Sequence, residues 1–457
     1  MMTESQRAAL AEYAAVKGQC PARERLAALF DDGVYTETGS NLRAGENLAG
    51  VVTAYGYIGG TPAYAFSQDS TVMKGAVSLA HSAKICKMFE LAARNGVPVV
   101  GIYDSCGAFV DDGADALNAY SDILLSMGSL SGVVPMVSVI SGVCAGTMAM
   151  IASSADFSVI TEGAELYLDA SGNNASAESA AKSGAVSAYA KSDAEAMDTV
   201  RRYLSLMPQN NLSPLPEFEF DAPVSAAFDN AENAAESIAD AGSLLEVYGE
   251  YGKASYTALC TVSGVTAGIA ATNKTKDKLT SADCSKIARF VRLCDAYSIP
   301  VITVADTEGF DLHGADMVRA GAALAGAYAE ASCAKIALVS GKACGMAYIA
   351  FAGRNVAADA VYALPEAVIA PMDPVSAAEF LYHDKLKGAD DLAAARAQIA
   401  KEYAENEGSA FAAAAKGAAD EVVTAENVRA AVASVLDVTA GKRLNKRLPK
   451  KHNILPL

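Results

Sequence analysis

Two short turns in this 457-residue chain hold the residue types best suited to chemistry. One reads Cys144-Ala145-Gly146-Thr147 and the other Ala343-Cys344-Gly345-Met346. Each follows an apolar, strand-like run (133–140 or 335–339) and opens an apolar helical stretch. Glycine just before a helix lets another group approach the backbone closely, and the first N–H groups of the helix have no intrahelical acceptor. Such donors bind an anion or stabilise the oxygen of an enolate. A lone turn of this kind is also what any strand–helix junction looks like. Two at equivalent places of a duplicated unit suggest two sites for two reacting carbonyls.

The elements that must position these turns are duplicated. Lys84-Ile85, Leu91, Pro98 and Asp104 recur as Lys286-Ile287, Leu293, Pro300 and Asp306, at a constant offset of 202. After each turn and its helix comes a strand, 157–161 or 360–364. Each half therefore reads strand, helix, strand, turn, helix, strand, which predicts α/β architecture with right-handed βα crossovers. A proline-bearing, acidic stretch at 208–232 reads as a linker. Residues 390–417 are Ala-rich and read as helical, and 441–457 form a basic tail. The halves are taken as domains 1–232 and 233–457.

Composition narrows the function. With 36 Lys+Arg against 53 Asp+Glu, the formal net charge is -17. A nucleic-acid binder needs a basic footprint, so that class is set aside. The basic tail reads either as a subunit contact or solvated end, or as an RNA contact. Nine cysteines form no Cys-x-x-Cys pair, so no zinc ribbon is available and reduced thiols in a cytoplasmic protein are expected. Four histidines are too few and scattered for a His-rich metal site, and no metal is expected. The first twenty residues lack the apolar core of a secretory signal. Residues 123–155 carry no charge and exceed the ~20 residues of a bilayer helix. Pro135 and the change from a β-branched to an Ala/Met-rich segment make a buried strand and helix the better reading, so no membrane insertion is expected.

Several segments, in order, resemble one family. They include Ala22-Arg23-Glu24-Arg25-Leu26, Gly50-Val51-Val52-Thr53, Phe66-Ser67-Gln68-Asp69, Ala80-His81, Lys84-Ile85-Cys86-Lys87 and Ser131-Gly132-Val133-Val134-Pro135. Leu206-Met207-Pro208-Gln209-Asn210-Asn211, Ala288-Arg289-Phe290-Val291-Arg292 and Leu448-Pro449-Lys450-Lys451-His452 continue the series. Over almost its whole length the chain resembles the carboxyltransferase component of biotin-dependent acyl-CoA carboxylases and decarboxylases, the family of the propionyl-CoA carboxylase β subunit.

The resemblance implies two duplicated crotonase-like (ClpP/crotonase) superhelix domains, the first for acyl-CoA and the second for carboxybiotin. It implies a hexamer with sites between domains of opposing subunits. It also implies transfer of a carboxyl group between biotin and a short acyl-CoA such as acetyl- or propionyl-CoA. Gly146 and Thr147 would face the thioester enolate, and Gly345 and Met346 the ureido carbonyl of biotin. Gly107, Ala108, Gln68, Lys74, Gly75, Lys84, Phe310 and Ala347 would contact substrate. Lys74 and Lys84 can alternatively be solvated lysines, and His81 a core histidine rather than a base. No Met-Lys-Met attachment sequence occurs, so biotin would ride on a separate biotin carboxyl carrier protein. The remaining partner would be an ATP-using biotin carboxylase or a membrane sodium-pump subunit, the latter for methylmalonyl-CoA or glutaconyl-CoA decarboxylation.

The chain departs from the family pattern in the turns themselves. The family's Cys-Ala-Gly-Gly-Ala is Cys144-Ala145-Gly146-Thr147-Met148, and its Tyr-Gly-Gly-Ala is Cys344-Gly345-Met346-Ala347. Asp104-Ser105-Cys106-Gly107-Ala108-Phe109 lacks the family's arginine at its last position, and 171–183 is shortened. Thr147 would be strained at positive φ but would merely narrow the site in helical geometry. A paralogue with an assembly or regulatory role is the alternative these changes suggest, and biotin-independent thioester hydrolysis or isomerisation a third.

Overall fold

The computed structural model describes residues 2–169, 171, 174–442 and 454. The basic tail beyond 442 and its Leu448–His452 motif therefore lie outside the described residues, Ile454 apart. The chain forms two compact units, Met1–Pro214 and Leu215–Leu457. The division falls within the proline-bearing stretch rather than at its far end. Its part from Leu215 onward joins the second unit, where Phe218 N–H donates to Gly264 O (2.8 Å) and Ala241 N–H to Asp221 O (2.9 Å).

In the first unit the main strands lie side by side in chain order: Tyr35–Thr38, Val51–Ile58, Thr61–Gln68, Val99–Ser105, Met136–Ala145, Phe157–Thr161 and Ala188–Ala190. The first three are antiparallel and the rest parallel. The antiparallel hairpin turns on Gly59-Gly60, both at positive φ (57° and 75°), which glycine adopts without steric cost. Later strands are linked through helices, chiefly Leu79–Asn95, Asp115–Leu130 and Thr147–Ser153. Ser78 caps the first of these, its Oγ accepting His81 N–H at 3.2 Å. That helix buries His81, Ile85, Met88 and Ala92 along one stripe. Ile85 and Met88 meet Phe66, Tyr103, Ile123 and Met127 in the core. Full burial of each large side chain contributes about 1.5–3 kcal/mol. Gly101 leaves room for Phe66, whose ring would lie 2.5 Å from a Cβ there.

The second unit repeats the plan. Its strands follow in order as Leu245–Glu246, Ser255–Val262, Val265–Thr272, Val301–Ala305, Lys335–Val339, Ala360–Ala363 and Glu421–Val422. The hairpin now turns on Ser263-Gly264 (φ 53° and 80°). Helices Ser281–Ala296, Met317–Glu330 and Met346–Phe351 occupy the corresponding places. One strand differs. Met136–Ala145 is continuous and pairs at its end with Glu165–Tyr167, whereas its counterpart breaks into Lys335–Val339 and Lys342–Cys344, the latter pairing with Val368–Ala370. The Ala-rich stretch forms two helices, Leu392–Asn406 and Ala410–Ala415.

The uncharged run 123–155 is the end of the Asp115–Leu130 helix, the Met136–Ala145 strand and the Thr147–Ser153 helix. No helix among the described residues is long and apolar enough to cross a membrane.

Candidate active site

In the first unit two turns leave the sheet from adjacent strand ends. Ser105 pairs directly with Cys144. Two residues further on stand Gly107 on one chain segment and Gly146 on the other. Val77 N–H donates to Gly107 O (2.9 Å) and Phe109 N–H to Val77 O (2.9 Å). Residue alternation then turns the N–H of the intervening, exposed Ala108 away from Val77. The Gly107 N–H is held by Ser105 Oγ at 3.2 Å.

Gly146 takes φ 64° and ψ -138°, a conformation essentially confined to glycine. Its own N–H donates to Tyr167 O at 2.9 Å. The groups left for a ligand are the next ones, at Thr147 and Met148, which begin a helix and have no intrahelical acceptor. Thr147 is not among the positive-φ residues, so the side chain in place of the family's second glycine narrows the turn without straining it. A Cβ placed on Gly107 or Gly146 meets nothing within 4 Å, so both turns border open space.

The second unit reproduces this arrangement. Gly345 (φ 55°, ψ -122°) donates to Ala370 O at 2.9 Å and precedes Met346, the first residue of its helix. Met346 also has no positive φ, and the residue is 63% exposed. Leu279 pairs with Phe310 as Val77 pairs with Ala108. Gly309 N–H is held by Thr307 Oγ1 at 3.1 Å. Phe310 is buried with its ring 6.2 Å from that of Phe351, and Ala347 is buried behind Met346.

The remaining expected residues separate into two groups. Lys74 is exposed beside the first turn. It lies in a tight loop in which Met73, Lys74 and Gly75 all have positive φ (51°, 54° and 67°). Lys74 O accepts the Cys106 N–H at 3.1 Å, and a Cβ on Gly75 would stand 2.1 Å from Asp104 O. Gln68 and Lys84 lie inward. Gln68 Oε1 accepts the Asp104 N–H at 3.0 Å, and its Nε2 is 3.2 Å from His81 Nε2. Lys84 is buried with its ammonium on Val51 O, and burial pulls its pKa down to about 8. Lys286 does the same in the second unit, donating to Tyr251 O (3.0 Å), Gly252 O (3.3 Å) and Ser255 O (2.8 Å), also with a pKa lowered to about 8 by burial. His81 is a core residue: burial lowers its pKa to about 3, so it stays neutral at physiological pH. Asp112 caps the Leu79–Asn95 helix by accepting Leu79 N–H at 3.0 Å.

Asp104 and Asp306 are legible in the sequence as a repeated pair, but what they touch is not. Asp104 and Asp306 each press against a glycine of the neighbouring strand end. A Cβ on Gly142 would sit 2.3 Å from Asp104 Oδ1, and one on Gly341 2.2 Å from Asp306 Oδ1. The signal was present as Ser141-Gly142 and Ser340-Gly341, each glycine four residues before its turn glycine.

Residues 14–455 match the carboxyl transferase domain. The chain is 33% identical to the methylmalonyl-CoA decarboxylase subunit alpha of Propionigenium modestum, covering 96% of this chain and 94% of that one. It is 33% identical to the methylmalonyl-CoA carboxyltransferase 12S subunit of Propionibacterium freudenreichii subsp. shermanii (96% and 92% covered). It is 32% identical to the propionyl-CoA carboxylase beta chain of Roseobacter denitrificans (96% and 94%). The crystal structure of transcarboxylase 12S, solved as a hexamer with hydrolysed methylmalonyl-coenzyme A bound, superposes with a TM-score of 0.90 at 30% identity, each chain wholly covered. With its paired glycine turns set on two copies of one α/β plan, the chain belongs to the carboxyl transferase family.

Proposed function

We propose that the chain is the carboxyltransferase subunit of a biotin-dependent system in the cytoplasm. It moves a carboxyl group between biotin on a separate carrier protein and a short acyl-CoA, acetyl- or propionyl-CoA in the carboxylating direction. The observation that carries this is the retention, in both units, of a turn glycine with glycine-only geometry followed at once by helical N–H groups without intrahelical acceptors. Carboxybiotin, when bound, supplies the carboxyl group and, once that has left, the base for the thioester α-proton.

The chain's own contribution is fixed donors. In the first unit the N–H groups of Ala108, Thr147 and Met148 surround the place for the thioester oxygen, which gains negative charge as the α-proton leaves. In the second, those of Phe310, Met346 and Ala347 surround the place for the ureido oxygen. Removing one such donor typically costs on the order of 10²–10³ in rate. Lys74, exposed beside the first turn, would meet a CoA phosphate, while Gln68 holds the Asp104 N–H at the base of the turn and Lys84 ties down the start of the Val51–Ile58 strand. No His or carboxylate base is required, in keeping with a buried, neutral His81.

The same groups serve decarboxylation of methylmalonyl-CoA or glutaconyl-CoA beside a membrane pump subunit, the direction named for the Propionigenium relative. The assembly is taken to be a hexamer, as in the 12S structure. The test is carboxyl exchange between methylmalonyl-CoA and free biotin. Wild type should yield carboxybiotin, and Gly146→Val should abolish the exchange while assembly persists, because valine cannot take φ 64°, ψ -138° without strain. A wild-type chain that assembles yet neither exchanges nor binds acetyl-, propionyl- or methylmalonyl-CoA would overturn the enzyme reading in favour of a scaffold.

A further inference from the structure

We infer that Asp104 and Asp306 are positioning residues, each fixing the separation of the two donor turns in its own unit. The inference rests on the proposed oxyanion sites. In the first unit the Asp104 backbone belongs to the strand that leads into Ser105–Ala108. Its carboxylate accepts from Arg25 Nη1 (2.9 Å) and Ser70 Oγ (2.8 Å). Arg25 then reaches the neighbouring strand, where its Nη2 donates to Ser141 O at 3.2 Å, five residues before Gly146. The strand carrying one turn is thereby tied through a charge-assisted bridge to the strand carrying the other.

The second unit makes the same tie by a different route. Asp306 Oδ1 accepts the Lys342 N–H directly at 2.8 Å, three residues before Gly345, and Oδ2 accepts from Asn273 Nδ2 at 2.6 Å. Among the described residues no arginine takes the place of Arg25 in these contacts. In both copies the carboxylate has room only because the facing residue is glycine. In both, the aspartate's own N–H is held by the end of the adjacent strand, by Gln68 Oε1 (3.0 Å) or Thr272 Oγ1 (2.8 Å). The partners differ between the copies, but the cross-strand tie is the same. That is expected if the tie, rather than any one partner, is what the turns need. Duplication alone would carry the partners along with the aspartate; here the partners have diverged while the tie between the two strand ends has stayed.

The two aspartates should therefore act on different carbonyls, which a general loss of stability cannot imitate. Infrared difference spectra of bound propionyl-CoA labelled with 13C at the thioester carbonyl report donors in the first unit, and spectra of free biotin labelled at the ureido carbonyl report those in the second. Asp104→Asn should lose the red shift of the thioester carbonyl and keep that of biotin, and Asp306→Asn should do the reverse. Each should lower kcat for carboxyl exchange by on the order of 10², the scale of a small misplacement of reacting groups, with KM near wild type. If either variant fails to fold, Ser70→Ala and Asn273→Gly loosen the same carboxylates one hydrogen bond at a time and should show the same crossed pattern more weakly. Both shifts retained in every variant, or both lost together, would overturn the inference. No shift in wild type would instead overturn the oxyanion reading on which it rests.

Discussion

At the scale of single residues, the substitutions that set this chain apart from its family lose their apparent severity. Only the first glycine of each turn needs a conformation closed to other residues. Thr147 and Met346 begin helices, where any residue fits. The paired buried lysines carry a measurable consequence. Lys84 and Lys286 each give an ammonium to the first residue of a strand, Val51 O or Ser255 O, from 202 positions apart. Burial lowers both pKa values to about 8, below the ordinary lysine value of the unfolded chain. Between about pH 8 and about pH 10.4 the unfolded state therefore binds the extra proton, and the contribution of these sites to stability rises with pH. The rise is on the order of 3 kcal/mol per lysine. Buried cysteines and tyrosines act in the opposite direction, so a difference measurement is required. Urea unfolding of wild type and Lys286→Met should show wild type gaining on the variant from pH 8 to pH 10, and a difference that does not change with pH would contradict the buried placement.

At the scale of elements, the two copies show what could be read from sequence. The 202-residue offset marked the helices and parallel strands, and the 157–161 and 335–339 strands fall where expected. The antiparallel hairpins went unread, although Gly59-Gly60 and Ser263-Gly264 are two-residue turn signals between β-rich runs. The Asp104–Gly142 and Asp306–Gly341 contacts were hidden because the partners are 38 and 35 positions apart and meet only when two parallel strands align. The offset also drifts to 199 at the turn glycines, partly because the connecting helix has 14 residues in the second copy and 16 in the first. The copies differ in capping as well. Thr280 forms a reciprocal box, its Oγ1 accepting Asp283 N–H and its own backbone N–H donating to Asp283 Oδ2 at 2.9 Å, where Ser78 makes one cap bond. Losing a cap costs roughly 0.5–2 kcal/mol. Thr280→Ala should fall near the upper end and Ser78→Ala near the lower, read as shifts in the urea midpoint. The reverse order would mean that the box contributes nothing beyond a simple cap.

At the scale of the whole molecule, a net charge of -17 must be reconciled with an anionic CoA substrate. The charge acts at long range and slows encounter, while the backbone N–H groups and Lys74 proposed to meet the substrate act within a few ångströms. Salt separates the two ranges. The Debye length falls from about 30 Å at 0.01 M to about 8 Å at 0.15 M, so added salt removes the distant repulsion first. The association rate of propionyl-CoA should therefore rise as ionic strength increases over that range. Lys74→Ala should raise KM through faster dissociation and leave the slope with salt almost unchanged, since one charge among a net -17 barely alters the far field. Association that slows with salt would reverse this order of effects and place a cluster of cations, rather than neutral backbone donors, at the mouth of the acyl-CoA site.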